Sequence, residues 1–180
     1  MTERKVRLLD AEALWIYALK VLGGRAYSVG ELREKLKRRA EKAEDVDGVL
    51  ARLKDVGYLD DKRFAEGYAS ARLTNDRFGK TRVLQDLRHH RVAPGLAEDT
   101  VQKVYEEVDE EKLIEEWVRR KYRLAEREGL FQEDKDLAAA YRRLMRAGFR
   151  TGEIVKVLKR FAKNPELLDL IEVPEEEGEE

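Results

Sequence analysis

The chain has 180 residues, 42% of them charged and 42% hydrophobic, with three prolines and no cysteine. That balance fits a helical protein with exposed charged faces better than a large compact enzyme, and the missing thiol excludes disulfides and cysteine chemistry. The net charge of −1 conceals an asymmetry: residues 1–163 hold all 37 Lys and Arg against 30 acids, and residues 164–180 hold the other eight acids and no base. No run of 18 apolar residues could cross a membrane, and the opening MTERKVRLLD lacks the apolar core of a signal peptide. A cytoplasmic location is therefore expected.

Asp10 suits the cap of a first helix over residues 11–22, with Leu9 and Leu14 as its hydrophobic staple and Leu14, Trp15, Ala18, Leu19 and Leu22 as its apolar stripe. Ser28-Val29-Gly30-Glu31 then matches a capping box, with Tyr27 and Leu32 at staple spacing. It opens a helix–turn–helix segment over 29–57, where Glu34 and Arg38 are placed for an ion pair. Gly57 suits a left-handed helix end, Asp60 the next cap, and Leu59 with Phe64 the next staple, so Phe64 is expected to be buried. An amphipathic run over 61–75 carries Phe64, Ala65, Tyr68, Ala69 and Arg72 on one stripe. A second helix–turn–helix pattern covers 80–108. Asp109 opens a further run over 110–128, with Val108 and Leu113 as staple, and a third paired pattern covers 135–161. Gly23, Gly57, Gly79 and Gly148 fall where turns are wanted, and no segment alternates apolar and polar residues as a strand would.

Superposing Leu36, Leu87 and Leu144 aligns the three patterns at spacings of 51 and 57 residues. The expectation is an all-α protein, an elongated, curved array of three tandem three-helix repeats. Their bounds are 1–57, 58–108 and 109–163, with 164–180 as an acidic, disordered tail. The tail reads either as a solubilising segment or as a competitor with a polyanion for the basic body.

Catalytic signatures are missing. There is no phosphate-binding glycine loop and no H-E-x-x-H. Ser28 is explained as a cap, and the adjacent His89 and His90 diverge by about 100° on a helix, too far to share one metal. Capping accounts for at least one of Asp60 and Asp61 without an ion. No enzyme activity, metal or cofactor is expected. Basic clusters recur instead: Arg33, Lys35, Lys37, Arg38 and Arg39; Lys80, Arg82, Arg88 and Arg91; Arg119, Arg120, Lys121 and Arg123; Arg142, Arg143, Arg146 and Arg150. Such a stripe suits an acidic protein surface or a phosphate backbone. A helix–turn–helix duplex DNA-binding regulator is the competing reading, although no predicted recognition helix is led by base-reading side chains.

Three stretches carry a more specific signal: LGGRAYSVGELREKL (22–36), VGYLDDKRFAEGYASAR (56–72) and GKTRVLQDL (79–87). In this order and spacing they resemble the RecX family of regulators of the bacterial RecA recombinase. Arg25, Ser28, Glu31, Leu32, Lys35 and Leu36 fill the first motif; Gly57, Tyr58, Leu59, Asp60, Asp61, Phe64 and Ala65 the second; Gly79, Arg82 and Val83 the third. Where that family often has a glycine after the basic helix, this chain has Arg38-Arg39-Ala40. The resemblance implies binding to RecA and within the groove of its filament on single-stranded DNA. Filament extension would be blocked, and ATP hydrolysis, strand exchange and SOS repressor cleavage lowered. It also implies a regulator of recombination and DNA repair; a monomer without enzymatic activity or membrane contact, with weak non-specific nucleic-acid contact, is expected, and the sequence leaves monomer against dimer open. The partner-facing set is taken as Arg25, Lys35, Arg63, Arg72, Lys80, Arg82, Arg119, Arg120, Arg142, Arg143 and Arg146. If the tail competes for these cations, deleting residues 172–180, which removes six glutamates, leaves binding to DNA-bound RecA as strong or strengthens it. A pull-down that weakens on deletion excludes the competitor reading.

Overall fold

The computed structural model describes residues 8–122, 131 and 133–170. Nine α-helices follow one another among these: α1 (Ala11–Leu22), α2 (Val29–Lys37), α3 (Ala43–Asp55), α4 (Asp61–Ala71), α5 (Lys80–His89), α6 (Pro94–Val104), α7 (Glu110–Tyr122), α8 (Asp134–Ala147) and α9 (Thr151–Phe161). Extended pairing among the described residues is confined to isolated bridges, Leu9 with Ala40 and Phe131 with Ala162. The fold is all-α, and Leu36, Leu87 and Leu144 on α2, α5 and α8 are each fully buried.

The helix starts follow the sequence closely. Asp10, Asp60 and Asp109 accept hydrogen bonds from the amides of Ala13, Arg63 and Lys112 at 2.9, 3.0 and 3.1 Å, so α1, α4 and α7 open on the same cap. The backbone bonds from Arg63 and from Lys112 hold the carboxyls of Asp60 and Asp109 below the usual aspartate range. Ser28 and Glu31 form the reciprocal capping box of α2. Gly57 adopts φ 75°, and the amides of Tyr58 and Leu59 both turn back to the Leu53 carbonyl. The turn after α2 closes without glycine. The amides of Arg39 and Ala40 bond the Leu36 carbonyl, and Leu9 clamps the exit by bonding the Arg39 carbonyl and the Glu41 amide.

Two compact units divide the chain, Met1–Tyr68 with Asp86–Thr100, and Ala69–Gln85 with Val101–Glu180, the divisions falling inside α4, α5 and α6. In the first, Leu14, Ala18, Leu32, Leu36, Val46, Val49, Leu50, Leu53 and Leu59 form a continuous core. In the second, the apolar faces of α7, α8 and α9 are buried through Ile114, Val118, Leu144, Ile154 and Leu158. Tyr105, also buried, donates its hydroxyl to the Phe78 carbonyl at 2.7 Å, and burial pushes that phenol's pKa up.

Each unit contains the same joint. In the first, the buried Ser28 hydroxyl donates to the His90 carbonyl, and a Cβ on Gly30 would lie 2.5 Å from the Cβ of Arg91. In the second, the Gly79 amide donates to the Ala147 carbonyl at 2.8 Å, and a Cβ on Gly79 would lie 2.2 Å from the Gly148 carbonyl oxygen. In the register of the three leucines, Ser28 corresponds to Gly79, His90 to Ala147, and Arg91 to Gly148. Arg91 and Gly148 share the left-handed backbone, φ 59° and 87°. The start of one second helix thus rests on the left-handed end of the following second helix, with no room for a side chain at Gly30 or at Gly79.

Several expectations need correction. Phe64 is only half-buried: its ring packs against Tyr68 and His90, and the rest lines a groove. The run over 61–75 is α-helical only to Ala71; Arg72–Asp76 form a π-turn ending at Arg77 with φ 57°. Glu34 pairs with Lys37 at 3.3 Å, where a pair with Arg38 was expected, because Arg38 has already left α2 as its C-cap. The acidic segment also starts with order. Pro165–Leu170 form a 3-10 helix that buries Leu168, an apolar content its charge count obscured. Residues 171–180, the rest of the expected tail, and 123–128 of the seventh run lie outside the described residues.

The glycines separate these effects experimentally. A Cβ on Gly48, inside α3, meets nothing within 4 Å, so Gly48→Ala should stabilise the fold by about 0.5–1 kcal/mol. Gly79→Ala must push the α8 end away and should lower the melting temperature. A neutral Gly79→Ala would show that the joint is looser than its spacing.

Candidate partner-binding surfaces

Among the described residues, no group of three or more His, Asp or Glu side chains could hold a metal ion, and no helix is long and apolar enough to cross a membrane. Each unit presents its own candidate surface.

In the first unit the motif residues converge on one network. The Arg25 guanidinium bonds Glu31 at 3.0 Å and stacks 3.6 Å from the centroid of the Tyr27 ring, with Lys35 at 5.8 Å from that ring. His90 Nδ1 lies 3.0 Å from Glu31 Oε1. Its ring meets Phe64 and Tyr68 edge-on, with centroids 5.5 and 4.7 Å away. Asp61 accepts the Val29 amide at 2.7 Å, which ties the start of α4 to the start of α2. Arg63 donates to the Gly57 carbonyl at 2.7 Å. Burial alone would raise the Glu31 pKa, but hydrogen bonds from Arg25 and His90 outweigh it and hold the carboxyl below its ordinary value. The same bond to Glu31 raises the Arg25 pKa. Beside the network lies a depression of about 430 Å³ lined by Tyr27, Tyr58, Arg63, Phe64 and Tyr68, with Tyr58 59% exposed. The doublets Asp60-Asp61 and His89-His90 are weighed in the sequence as metal ligands and set aside, whereas one member of each, Asp61 and His90, bonds across the fold.

In the second unit the expected cations divide into two groups. Arg72 pairs with Asp76 at 2.8 Å, and Arg120 donates to the Asn75 carbonyl. On α9 and its cap every cation facing α7 is matched: Arg150 with Glu110 at 2.6 Å, Lys156 with Glu111 at 3.5 Å, and Arg160 with Glu111 and Glu115. Arg160, through its bonds to Glu115 and Glu111, has its pKa raised, and Arg160 in turn lowers that of Glu111. Lys80, Arg119, Lys121, Arg142, Arg143 and Arg146 make no ion pair with a described carboxylate. Arg82 lies 5.6 Å from the Phe78 ring centroid and Arg119 5.7 Å from that of Phe161. Arg143 donates to the Tyr122 hydroxyl at 3.1 Å. Arg142, Arg143 and Arg146 are exposed along α8 beside Met145, itself 42% exposed. Arg143 and Arg146 meet Lys121, Trp117, Phe78 and Ala147 around a depression of about 260 Å³. Phe78 and Trp117 were missed in the sequence, where a search for cations passes over isolated aromatics.

Helices in triplets with these joints define a tandem three-helix fold, and the crystal structure of RecX from Lactobacillus salivarius shares it. The TM-score is 0.63 at 18% identity, covering 89% of this chain and 97% of that one. Residues 15–53 match the family model for the first three-helix domain of RecX, and residues 60–101 the model for the second. The regulatory protein RecX of Deinococcus radiodurans is 34% identical over 159 residues, 88% of this chain and 73% of its own. That of Thermus thermophilus is 35% identical over 144 residues, 80% and 88% of the two chains. The chain belongs to the RecX family.

The Glu31 network carries a signature in acid. A carboxyl held below its unfolded value stabilises the fold above that value, and the contribution disappears as pH falls through the folded pKa. The melting temperature of Glu31→Gln should therefore lie below that of the wild type at pH 7. The gap should close below about pH 4.3, the ordinary glutamate value. A gap that is constant from pH 7 to pH 3 would show that Glu31 acts through shape alone.

Proposed function

We propose that this chain is a non-enzymatic regulator that binds RecA and its filament on single-stranded DNA. In this reading it blocks filament extension and lowers ATP hydrolysis, strand exchange and SOS repressor cleavage. Membership of the RecX family supports a regulatory role. The observation that carries the reading is the division of cations in the second unit. Those between α7 and α9 are neutralised within the fold, whereas Lys121, Arg142, Arg143 and Arg146 have no described carboxylate partner. A row of unmatched cations on α8, with Lys121 on α7, suits a polyanionic partner. In the first unit Arg25 braces Glu31 of the α2 capping box and Arg63 the turn at Gly57, which gives them a structural use whatever the partner.

The test is ATP hydrolysis by RecA on single-stranded DNA, titrated with each variant. Reversing Arg142, Arg143 and Arg146 together to Glu should abolish most of the inhibition while helicity is unchanged. A single reversal such as Arg82→Glu or Arg72→Glu should weaken it modestly. Inhibition should also fade with added salt, since exposed charges are screened beyond roughly 8 Å at physiological ionic strength. Full inhibition by the triple variant at the wild-type concentration would remove these cations from the partner surface.

A further inference from the structure

We propose that the depression bounded by Phe78, Trp117, Lys121, Arg143 and Arg146 is a subsite for single-stranded nucleic acid, in which one base stacks on Trp117 and the cations hold its flanking phosphates. The proposal rests on the reading above and deepens it, because it names the strand inside the filament as what this site touches.

Three features of the site agree. Its cations come from two helices, Lys121 from α7 and Arg143 and Arg146 from α8, and converge on one rim. None is matched by a described carboxylate, in a unit that pairs Arg150, Lys156 and Arg160 fully. Its wall is aromatic: Phe78 and Trp117 are both only partly buried, with Ala147 as a small apolar floor. Phe78 already carries the Arg82 guanidinium 5.6 Å from its centroid, so the stack is assigned to Trp117. The size also fits, since about 260 Å³ falls just under the ~300–1,000 Å³ of pockets that engulf a whole small molecule.

Aromatic faces interleaved with cations are the chemistry by which proteins hold single strands, because every base has a π-face and every linkage a phosphate. A duplex would offer its phosphates but keep its base faces stacked away from the indole. An acidic protein surface would satisfy the cations and leave the two rings wet. The single strand is the occupant that uses both halves of the site.

The experiment uses the full chain carrying Trp15→Phe, which leaves Trp117 as its one tryptophan. Unlabelled oligothymidylate should quench Trp117 emission. An abasic deoxyribose-phosphate oligomer of equal length, a blunt duplex and polyglutamate should each bind about ten-fold or more weaker, the size of one lost base stack. In the otherwise wild-type chain, Trp117→Ala should lose a similar factor for a fluorescein-labelled oligothymidylate while Trp117→Phe retains most of the affinity, which separates stacking from misfolding. Arg143→Gln with Arg146→Gln should reduce the slope of log affinity against log salt by about 1.4, at roughly 0.7 per phosphate contact on a single strand. Equal affinity for the abasic oligomer or for polyglutamate, or unchanged Trp117 emission at saturation, overturns the subsite. If oligothymidylate quenches Trp117 but the chain leaves RecA ATP hydrolysis untouched, the regulatory reading falls and the subsite stands. If RecA is inhibited without any quenching, the subsite alone falls.

Discussion

A missing side chain, at Gly30 in one unit and Gly79 in the other, sets how closely two second helices can approach. In both places an added Cβ would lie within 2.5 Å of atoms on the left-handed exit of the following second helix. Polar groups meet there. The Ser28 hydroxyl reaches the His90 carbonyl, and the Gly79 amide reaches that of Ala147. A helix end leaves carbonyls without intrahelical partners, so the joint satisfies them while fixing the approach. Much of the first unit's detail follows from it. Glu31 can serve its capping box, Arg25 and His90 at once because Ser28 is pinned to the end of α5. Asp61 can cap the Val29 amide because α4 starts beside the same turn.

This explains why the family motif is rich in charge yet unlike a binding site. Arg25, Glu31, Asp61 and Arg63 are polar residues whose partners lie inside the unit. Exposed ion pairs contribute roughly 0–1 kcal/mol each, and their value here is directional, since each one orients a helix end. The cations of α8 differ. Arg142 and Arg146 lie one turn apart with Arg143 between them, and none of the three forms an ion pair with a described carboxylate. Within the second unit, the cations that tie α9 to α7 and the cations of α8 that face no described carboxylate partner are therefore separated by helix.

Much of the fold was legible because it is written in local chemistry. Asp10, Ser28, Asp60 and Asp109 cap the helices expected of them, since a cap depends on three or four neighbouring residues only. The common register of Leu36, Leu87 and Leu144 was visible for the same reason, as apolar periodicity within single helices. What was hidden is non-local. Gly30 looked like a filler in a capping box until Arg91, far along the chain, was placed against it. Phe64 had staple spacing, but spacing says nothing about the groove its ring lines. In the candidate site the α8 cations were legible as a cluster. Trp117 and Phe78 were not, because only the fold brings those two aromatics beside Arg143 and Arg146.

The same separation bears on how such a surface can attract a partner. Arg142, Arg143 and Arg146 occupy just over one turn of α8, a rise of about 6 Å at 1.5 Å per residue, which is inside the Debye length of roughly 8 Å at physiological ionic strength. Approaching anions therefore meet the three as one field rather than as three separate charges. That field attracts any polyanion, so it supplies encounter rate more than selectivity. Selectivity has to come from groups that tell one polyanion from another. Around this field the candidates are the partly buried faces of Trp117 and Phe78, which neither carboxylates nor the phosphates of a duplex can cover.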